Sequence, residues 1–126
     1  MDQYGIEGKK FEVVVTIVER GKGSRVTEIF NEEGFYNNII CLGKGTATSE
    51  ILDYLGLGET EKDVVISTVL QESHHDLLGK LEQKMNLNKP GNGIAFTVSI
   101  KSVGGQAALQ FMCNLLGENR GDKDGN

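Results

Sequence analysis

The stretch Leu87-Asn88-Lys89-Pro90-Gly91-Asn92-Gly93-Ile94-Ala95-Phe96 decides how the rest of this sequence is interpreted. It contains the only proline of the chain, followed by two glycines two residues apart, and it leads into alternating apolar residues. Pro90 fixes its own φ and disfavours helix at Lys89. Gly91 and Gly93 accept positive φ and leave backbone N–H groups open to an anion. The stretch predicts a tight turn before a strand, and such a turn either serves only the fold or also binds a ligand.

A second glycine pair, Gly43-Lys44-Gly45, directly follows the short strand predicted over Ile39–Leu42. We expect the two glycine loops to meet at one site. Short glycine motifs are common in ordinary turns, so plain tight turns remain the alternative for either pair.

The composition of the chain predicts one domain without a basic surface. A length of 126 residues fits a single domain over 1–126, with its core at about residues 10–105. A formal net charge of −5 argues against nucleic acid and against an anionic membrane surface as partners. The first residues lack the pattern expected of a signal peptide, and no apolar run approaches the roughly 20 residues that cross a bilayer, so we expect neither a leader nor a membrane span. We therefore expect a cytoplasmic protein that does not insert into the membrane.

The two cysteines, Cys41 and Cys113, are far apart and have no metal-ligand spacing. Each lies among apolar residues, so both are predicted to be core thiols in a reducing compartment. A disulfide between them is the less favoured alternative.

The first half of the chain predicts two strands around a helix. Phe11–Val18 is rich in valine and isoleucine, which indicates a central strand buried on both faces. Arg20-Gly21-Lys22-Gly23 predicts a turn with two cations. Ser24 is the predicted N-cap of a helix that ends at Gly34. Ile39–Leu42 follows as the second strand.

Residues 46–63 form a long excursion before the next strand. Ser49–Gly56 predicts a short helix, and the surrounding acidic residues predict a solvated face, with divalent-ion binding a minor alternative. An excursion of this length is usually functional or mobile. Its larger apolar side chains either pack back on the core or contact a partner; they are Ile51, Leu52, Tyr54 and Leu55.

The second half predicts a strand, a helix and a last strand. Val64–Leu70 is a strand by its β-branched content. Ser73 and Asp76 resemble a capping box at the start of an amphipathic helix. The apolar residues of that helix are Leu77, Leu78, Leu81 and Met85.

The last strand, Ile94–Ile100, alternates between two kinds of side chain. One face carries isoleucine, phenylalanine and valine, and the other carries Ala95, Thr97 and Ser99. Two helices cover only one face of a four-stranded sheet, which leaves the second face available for self-association. The alternation of the last strand predicts that this second face is semi-polar. Apolar residues at helical spacing then predict a C-terminal helix over 106–116, and 117–126 is predicted to be a disordered tail.

The resulting order, β-α-β-β-α-β, predicts an α+β ferredoxin-like sandwich with a long loop between strands 2 and 3 and a C-terminal helix. Together with Gly43-x-Gly45 before the long loop and Pro90–Phe96 before the last strand, this order resembles the P-II nitrogen-regulatory family, and more closely its divergent P-II-like branch. The resemblance covers about residues 10–105. It implies a homotrimer that binds ATP or ADP in clefts between subunits. It also implies that the long loop regulates a partner protein such as a membrane transporter.

The resemblance also implies which residues would bind the nucleotide. The first glycine pair would line the cleft, the second glycine loop would supply backbone donors to phosphates, and a lysine at the end of the long loop would remain as one phosphate partner. These residues are Gly43, Gly45, Lys62, Gly91, Asn92 and Gly93.

Three departures from the family pattern remove other phosphate partners. Ile94 stands where the family has a lysine, Ala47 stands where it has a glutamine, and Val103–Ala107 lacks a pair of arginines. Each charge-assisted contact is worth roughly 1.5–3 kcal/mol, so the departures argue against high-affinity ATP binding.

No residues assemble into a catalytic set, so the sequence predicts a protein that is not an enzyme. His74 and His75 begin a predicted helix about 100° apart and are expected to be surface or capping residues, not a metal site. The first functional hypothesis is a P-II-like signalling protein with an anionic effector. The alternative is a trimeric ferredoxin-like interaction module that has lost nucleotide binding. A third, metal binding as in related trimeric copper-tolerance proteins, lacks suitably spaced ligands.

Overall fold

In the computed structural model the chain is described over residues 10–45, 50 and 61–105. The elements follow the predicted order: β1 (Phe11–Glu19), α1 (Gly23–Glu32), β2 (Asn38–Lys44), β3 (Glu61–Leu70), the short 3₁₀ turn Gln71–Ser73, α2 (His74–Lys84) and β4 (Ile94–Ser99). The helices predicted over Ser49–Gly56 and 106–116, the tail 117–126 and Cys113 lie outside the described residues.

The four strands form one antiparallel sheet in the order β2-β3-β1-β4. β1 is central, as predicted, and pairs Val15 with Ile66 on one side and with Phe96 on the other. Glu19 at the end of β1 pairs with Lys62 near the start of β3, and Lys62 pairs with Gly43 near the end of β2. The end of β2 and the start of β4 therefore lie at the same end of the sheet, on its two opposite edges.

Both helices pack on one face of the sheet, and the core lies between these layers. The buried side chains come from β1, β3 and the apolar sides of α1 and α2, which is the pattern expected of amphipathic helices on a sheet. The fully packed cluster consists of Val14, Val18, Val26, Ile29, Phe30, Val65, Val69, Leu77 and Leu81. None of the helices within 10–45 and 61–105 is long and apolar enough to cross a membrane.

The prediction that Ser24 caps α1 is wrong. The helix begins one residue earlier, at Gly23, after Lys22, and has no side-chain cap from its own segment. Instead the Asp63 carboxylate, from β3, accepts the backbone N–H of Gly23 at 2.9 Å. A helix N-terminus favours an acceptor from any part of the chain, and only the folded structure brings this one to it.

The capping box predicted at the start of α2 is also absent. Ser73 occupies the N-cap position, but its side chain makes no cap hydrogen bond. The end of α1 agrees with prediction: Gly34 has φ +92° and its N–H bonds the Asn31 carbonyl at 3.0 Å. A left-handed residue after a helix is a position that favours glycine.

The second sheet face is apolar, not semi-polar as predicted. Ile94, Phe96 and Val98 lie on this open face and are 41%, 41% and 49% exposed, whereas Ala95 packs against the core. Alternation fixes which residues of a strand share a face, but not which face the helices cover. Cys41 pairs with Val64 on the same open face and is exposed, so the prediction of a core thiol is wrong for Cys41.

Candidate functional site

Lys62 lies at the end of the sheet where the long excursion returns to the fold. It is only 3% exposed, and within the described part of the chain its Nζ has no hydrogen-bond partner. A buried polar group without a partner costs roughly 1–3 kcal/mol, and more when it is charged. An acceptor at Nζ of Lys62 would therefore remove an energetic cost that the described residues leave in place.

Gly43 lies beside Lys62 and within β2, not after it. A Cβ atom at position 43 would lie 3.0 Å from Cγ2 of Val64 and 3.9 Å from Cβ of Lys62. Glycine therefore leaves space on the Lys62 side of the edge strand. Gly45 follows β2 outside any regular element.

Arg20 joins the two strands that carry Lys62 and Gly43. Its Nε and Nη2 donate to the Lys62 carbonyl at 3.3 and 3.2 Å, and Nη2 also donates to the Gly43 carbonyl at 3.3 Å. The planar guanidinium suits such multiple contacts because its donors are held in a fixed fork. Arg20 thus fixes the backbone of both strands where the long excursion leaves and returns.

The same guanidinium binds two carboxylates. Its Nε lies 3.2 Å from Oδ1 of Asp63, and its Nη1 lies 3.4 Å from Oε2 of Glu61. The sequence predicted only a turn with two cations here. The contacts of Arg20 were not predicted because they depend on the pairing of β1 with β3, which sequence spacing does not give.

The second glycine loop is the tight turn that the sequence predicts. Gly91 and Gly93 have φ +111° and +116°. The backbone N–H of Asn92 bonds the Lys89 carbonyl at 3.2 Å, and its side-chain amide bonds the Asn86 carbonyl at 3.0 Å. The Asn92 N–H thus has a partner within the turn itself.

The two glycine loops do not touch within one chain. Gly43 lies on edge strand β2, and Gly93 lies at the start of the opposite edge strand β4. Two strands separate them, so the distance across the sheet is about 14 Å for strands about 4.8 Å apart. A site built from both loops requires a second chain.

Comparison with known proteins gives a match at the level of structure. The sequence matches no protein-family profile and no curated protein. The structure superposes on that of Arabidopsis thaliana PII bound to citrate with a TM-score of 0.56, over 73% of this chain and 76% of the PII chain, at 14% identity. The chain has the fold of a PII protein. The match confirms the PII-like fold that the sequence indicates.

In this PII-like fold a groove of about 260 Å³ lies beside the second glycine loop. Its lining includes Leu87, Gly93 and Ile94 from the loop and strand, and Glu82 from α2. None of the described residues that line it is basic. The buried lysine of this end of the sheet, Lys62, lies instead on β3, beside β2.

At the other end of the PII-like sheet, His74, which the sequence predicts to be a surface or capping residue, is partly buried at the start of α2. Its Nδ1 lies 2.9 Å from Oε1 of Glu12, a side chain that is 6% exposed. Its ring contacts that of His75, which is exposed. Within residues 10–45 and 61–105 no three histidine, cysteine or carboxylate side chains gather as a metal site. The start of α2 therefore lies against the buried carboxylate of β1, but neither Nδ1 of His74 nor Oε1 of Glu12 has a hydrogen-bond partner among the described residues.

Proposed function

We propose that this chain is a non-enzymatic signal-transduction protein of the PII type that binds a small anionic effector near Lys62. The observation that carries the proposal is the Lys62 ammonium group, which is almost fully buried and has no partner among the described residues. A phosphate or carboxylate oxygen would supply a charge-assisted hydrogen bond there. The ligand would thereby remove the cost of leaving this group unpaired.

The first candidate effector is an adenine nucleotide, ATP or ADP. This follows from the P-II resemblance, and Lys62 supplies the cation that such a ligand needs. The second candidate is a small polycarboxylate, because the PII protein of similar structure was crystallised with citrate. Both are anions, and a titration separates them.

We further propose that the protein is a homotrimer. The open sheet face exposes Ile94, Phe96 and Val98 of β4 together with Ile39 of β2. Large apolar patches of this kind are usually covered in the working assembly. A second copy would also bring its loop Gly91–Gly93 to the Gly43 edge, which one chain alone does not do.

Regulation would pass through the long excursion between Gly45 and Glu61. Lys62 and Gly43 flank its two ends, so an anion bound at Lys62 would act directly on the strands that hold it. The regulated partner would be a protein such as a membrane transporter, with the PII-like chain in the cytoplasm.

The test is isothermal titration calorimetry of the full chain against ATP, ADP and citrate, with and without magnesium. We expect micromolar binding of at least one ligand, and a loss of roughly tenfold or more in Lys62→Met because one charge-assisted contact disappears. Lys44→Met is the matched control, since Lys44 is exposed at the same end of β2. The absence of heat with all three ligands would contradict the proposal.

A second function, that of an interaction module without effector, is favoured by a different observation. The helix-side flank of edge strand β2 exposes Ile40 and Leu42, and Leu42 is 72% exposed. An apolar edge strand is a surface to which other chains add. This function predicts a constant affinity for a partner, whether or not ATP, ADP or citrate is present.

A further inference from the structure

We propose that the turn between β1 and α1, residues 20–23, keeps Lys62 available to an anion by binding the carboxylates that surround it. This cationic turn carries Arg20 and Lys22. The inference rests on the proposed function, because it explains how the fold keeps the Lys62 ammonium from forming an ion pair with a carboxylate of its own chain.

Three carboxylates lie close to Lys62 in sequence or in register. Glu61 and Asp63 flank it on β3, and Glu19 is its direct partner across the β1–β3 pairing. Side chains directly opposite each other on one face have Cβ atoms about 4.5–5.5 Å apart, within reach of a salt bridge. Even so, Nζ of Lys62 bonds none of the three.

Arg20 binds the two flanking carboxylates. Successive residues of a strand point to opposite faces, so Glu61 and Asp63 lie on the helix side of the sheet and Lys62 on the open side. Asp63 is held there by Arg20 and by the N–H groups of Gly21 and Gly23, each at 2.9 Å. Glu61 is 68% exposed and is held by Nη1 of Arg20 at 3.4 Å.

Lys22 binds the third carboxylate. Glu19 lies on the open face, opposite Lys62, but its Oε2 lies 3.8 Å from Nζ of Lys22. Both side chains of this pair are about half exposed. Glu19 is therefore the acid best placed to reach Lys62 if Lys22 were removed.

The turn also positions the Lys62 backbone. Arg20 bonds the Lys62 carbonyl with two of its nitrogens while it holds the carboxylates. An ammonium group lacks this planar fork, so lysine at position 20 would keep the charge but lose the geometry. Arg20 is thus a positioning residue for the anion site and need not touch the anion.

The first experiment measures ADP and citrate affinity of full-length variants by calorimetry. Lys22→Met frees Glu19 and is expected to weaken binding roughly fivefold, a typical size for coupling between neighbouring sites. Lys22→Met with Glu19→Gln is expected to restore wild-type affinity, because no carboxylate then competes. Arg25→Met is the matched control: Arg25 pairs with Glu28 on the exposed side of α1, away from Lys62.

The second experiment uses Arg20→Met, with an expected weakening of roughly tenfold or more. Arg20→Lys is expected to restore only part of the affinity, because the ammonium group keeps the charge but not the contacts to the Lys62 and Gly43 carbonyls. A folded Lys22→Met that binds as tightly as the wild type, or a double variant that fails to restore binding, would overturn the inference. The Lys22 variants decide the matter even if Arg20→Met does not fold.

The two proposals fail in different ways. If the wild type binds neither ADP nor citrate, the proposed effector is wrong, and the inference that the turn keeps Lys62 available to that effector is wrong with it. If the wild type binds and Lys62→Met does not, but the turn variants bind as the wild type does, only this inference is wrong.

Discussion

The carboxylate of Asp63 caps the helix that begins at Gly23. Oδ2 of Asp63 lies 2.9 Å from the Gly23 nitrogen, and a Cβ atom at position 23 would approach that same oxygen to 2.9 Å. The cap therefore requires both a short acid on β3 and the absence of a side chain at the start of α1. This contact joins the first helix to the strand that carries Lys62.

Removing this cap is expected to destabilise the fold strongly. Asp63→Ala leaves the N–H groups of Gly21 and Gly23 without their acceptor and Arg20 without its buried carboxylate. Charge-assisted hydrogen bonds contribute roughly 1.5–3 kcal/mol, so we expect a loss of about 3 kcal/mol in the free energy of unfolding, measured in urea. Glu28→Ala, which removes an exposed ion pair on α1, should change it by less than about 1 kcal/mol.

A pair of glycine substitutions separates backbone strain from helix propensity. Gly93→Ala is expected to destabilise by several kcal/mol, because its Cβ would overlap the Ile17 carbonyl oxygen and its φ is +116°. Gly79→Ala, in open space within α2, should instead stabilise by about 0.5–1 kcal/mol. Chemical denaturation of both variants measures the difference, and an unchanged stability for Gly93→Ala would contradict the close contact.

The close approach of His74 to Glu12 is expected to make a small contribution to the free energy of unfolding. Nδ1 of His74 and Oε1 of Glu12 lie 2.9 Å apart without hydrogen-bond geometry, so His74→Ala is expected to lower the free energy of unfolding by about 1 kcal/mol or less. His75→Ala is the control, because His75 is exposed. Equal unfolding midpoints for the two variants would show that the Glu12 contact contributes nothing.

The ion pair between Lys80 and Glu33 gives a prediction about pH. Nζ of Lys80 lies 2.6 Å from Oε1 of Glu33, and this hydrogen bond raises the pKa of Lys80 above its usual value of 10.5. A raised folded-state pKa contributes stability that is fully present below the unfolded-state pKa and lost as the pH rises through the folded-state pKa. A double-mutant cycle with Lys80→Met and Glu33→Gln should show favourable coupling at pH 7 and progressively less in strong alkali. Coupling that survives complete deprotonation of Lys80 would contradict this origin.

Lys62→Met is expected to stabilise the protein when no effector is present. Methionine has a similar length and removes a buried ammonium group that has no partner among the described residues. The gain should be roughly 1–3 kcal/mol, the usual cost of an unsatisfied buried polar group. Thermal unfolding measures it, with Lys44→Met as control. A destabilised Lys62→Met would mean that the ammonium already has a partner.

The order of elements was predictable because each depends on local patterns. The β-branched run of β1, the helical spacing of Val26, Ile29 and Phe30, and the turn around Pro90 each produced the expected element. The PII resemblance followed from that order and from the position of two glycine loops.

Features that depend on contacts between distant segments were not predictable. The cap of α1 comes from Asp63, 40 residues away, and spacing within the helix favoured Ser24 instead. The alternation of β4 was recognised, but which of its faces the helices cover is decided by packing. Lys62 was singled out by family pattern, whereas its burial and the contacts of Arg20 emerge only from strand register.

The placement of the glycine loops on opposite edges of the sheet also constrains symmetry. Gly43 lies on one edge and Gly93 on the other, so a cleft formed from both would join unlike surfaces of two chains. When the rotation that relates such chains closes, unlike surfaces generate a ring in which the number of clefts equals the number of chains. In a ring assembled from wild-type and Lys62→Met chains, each variant chain would then remove anion binding at one cleft. The number of binding sites would fall in proportion to the number of variant chains.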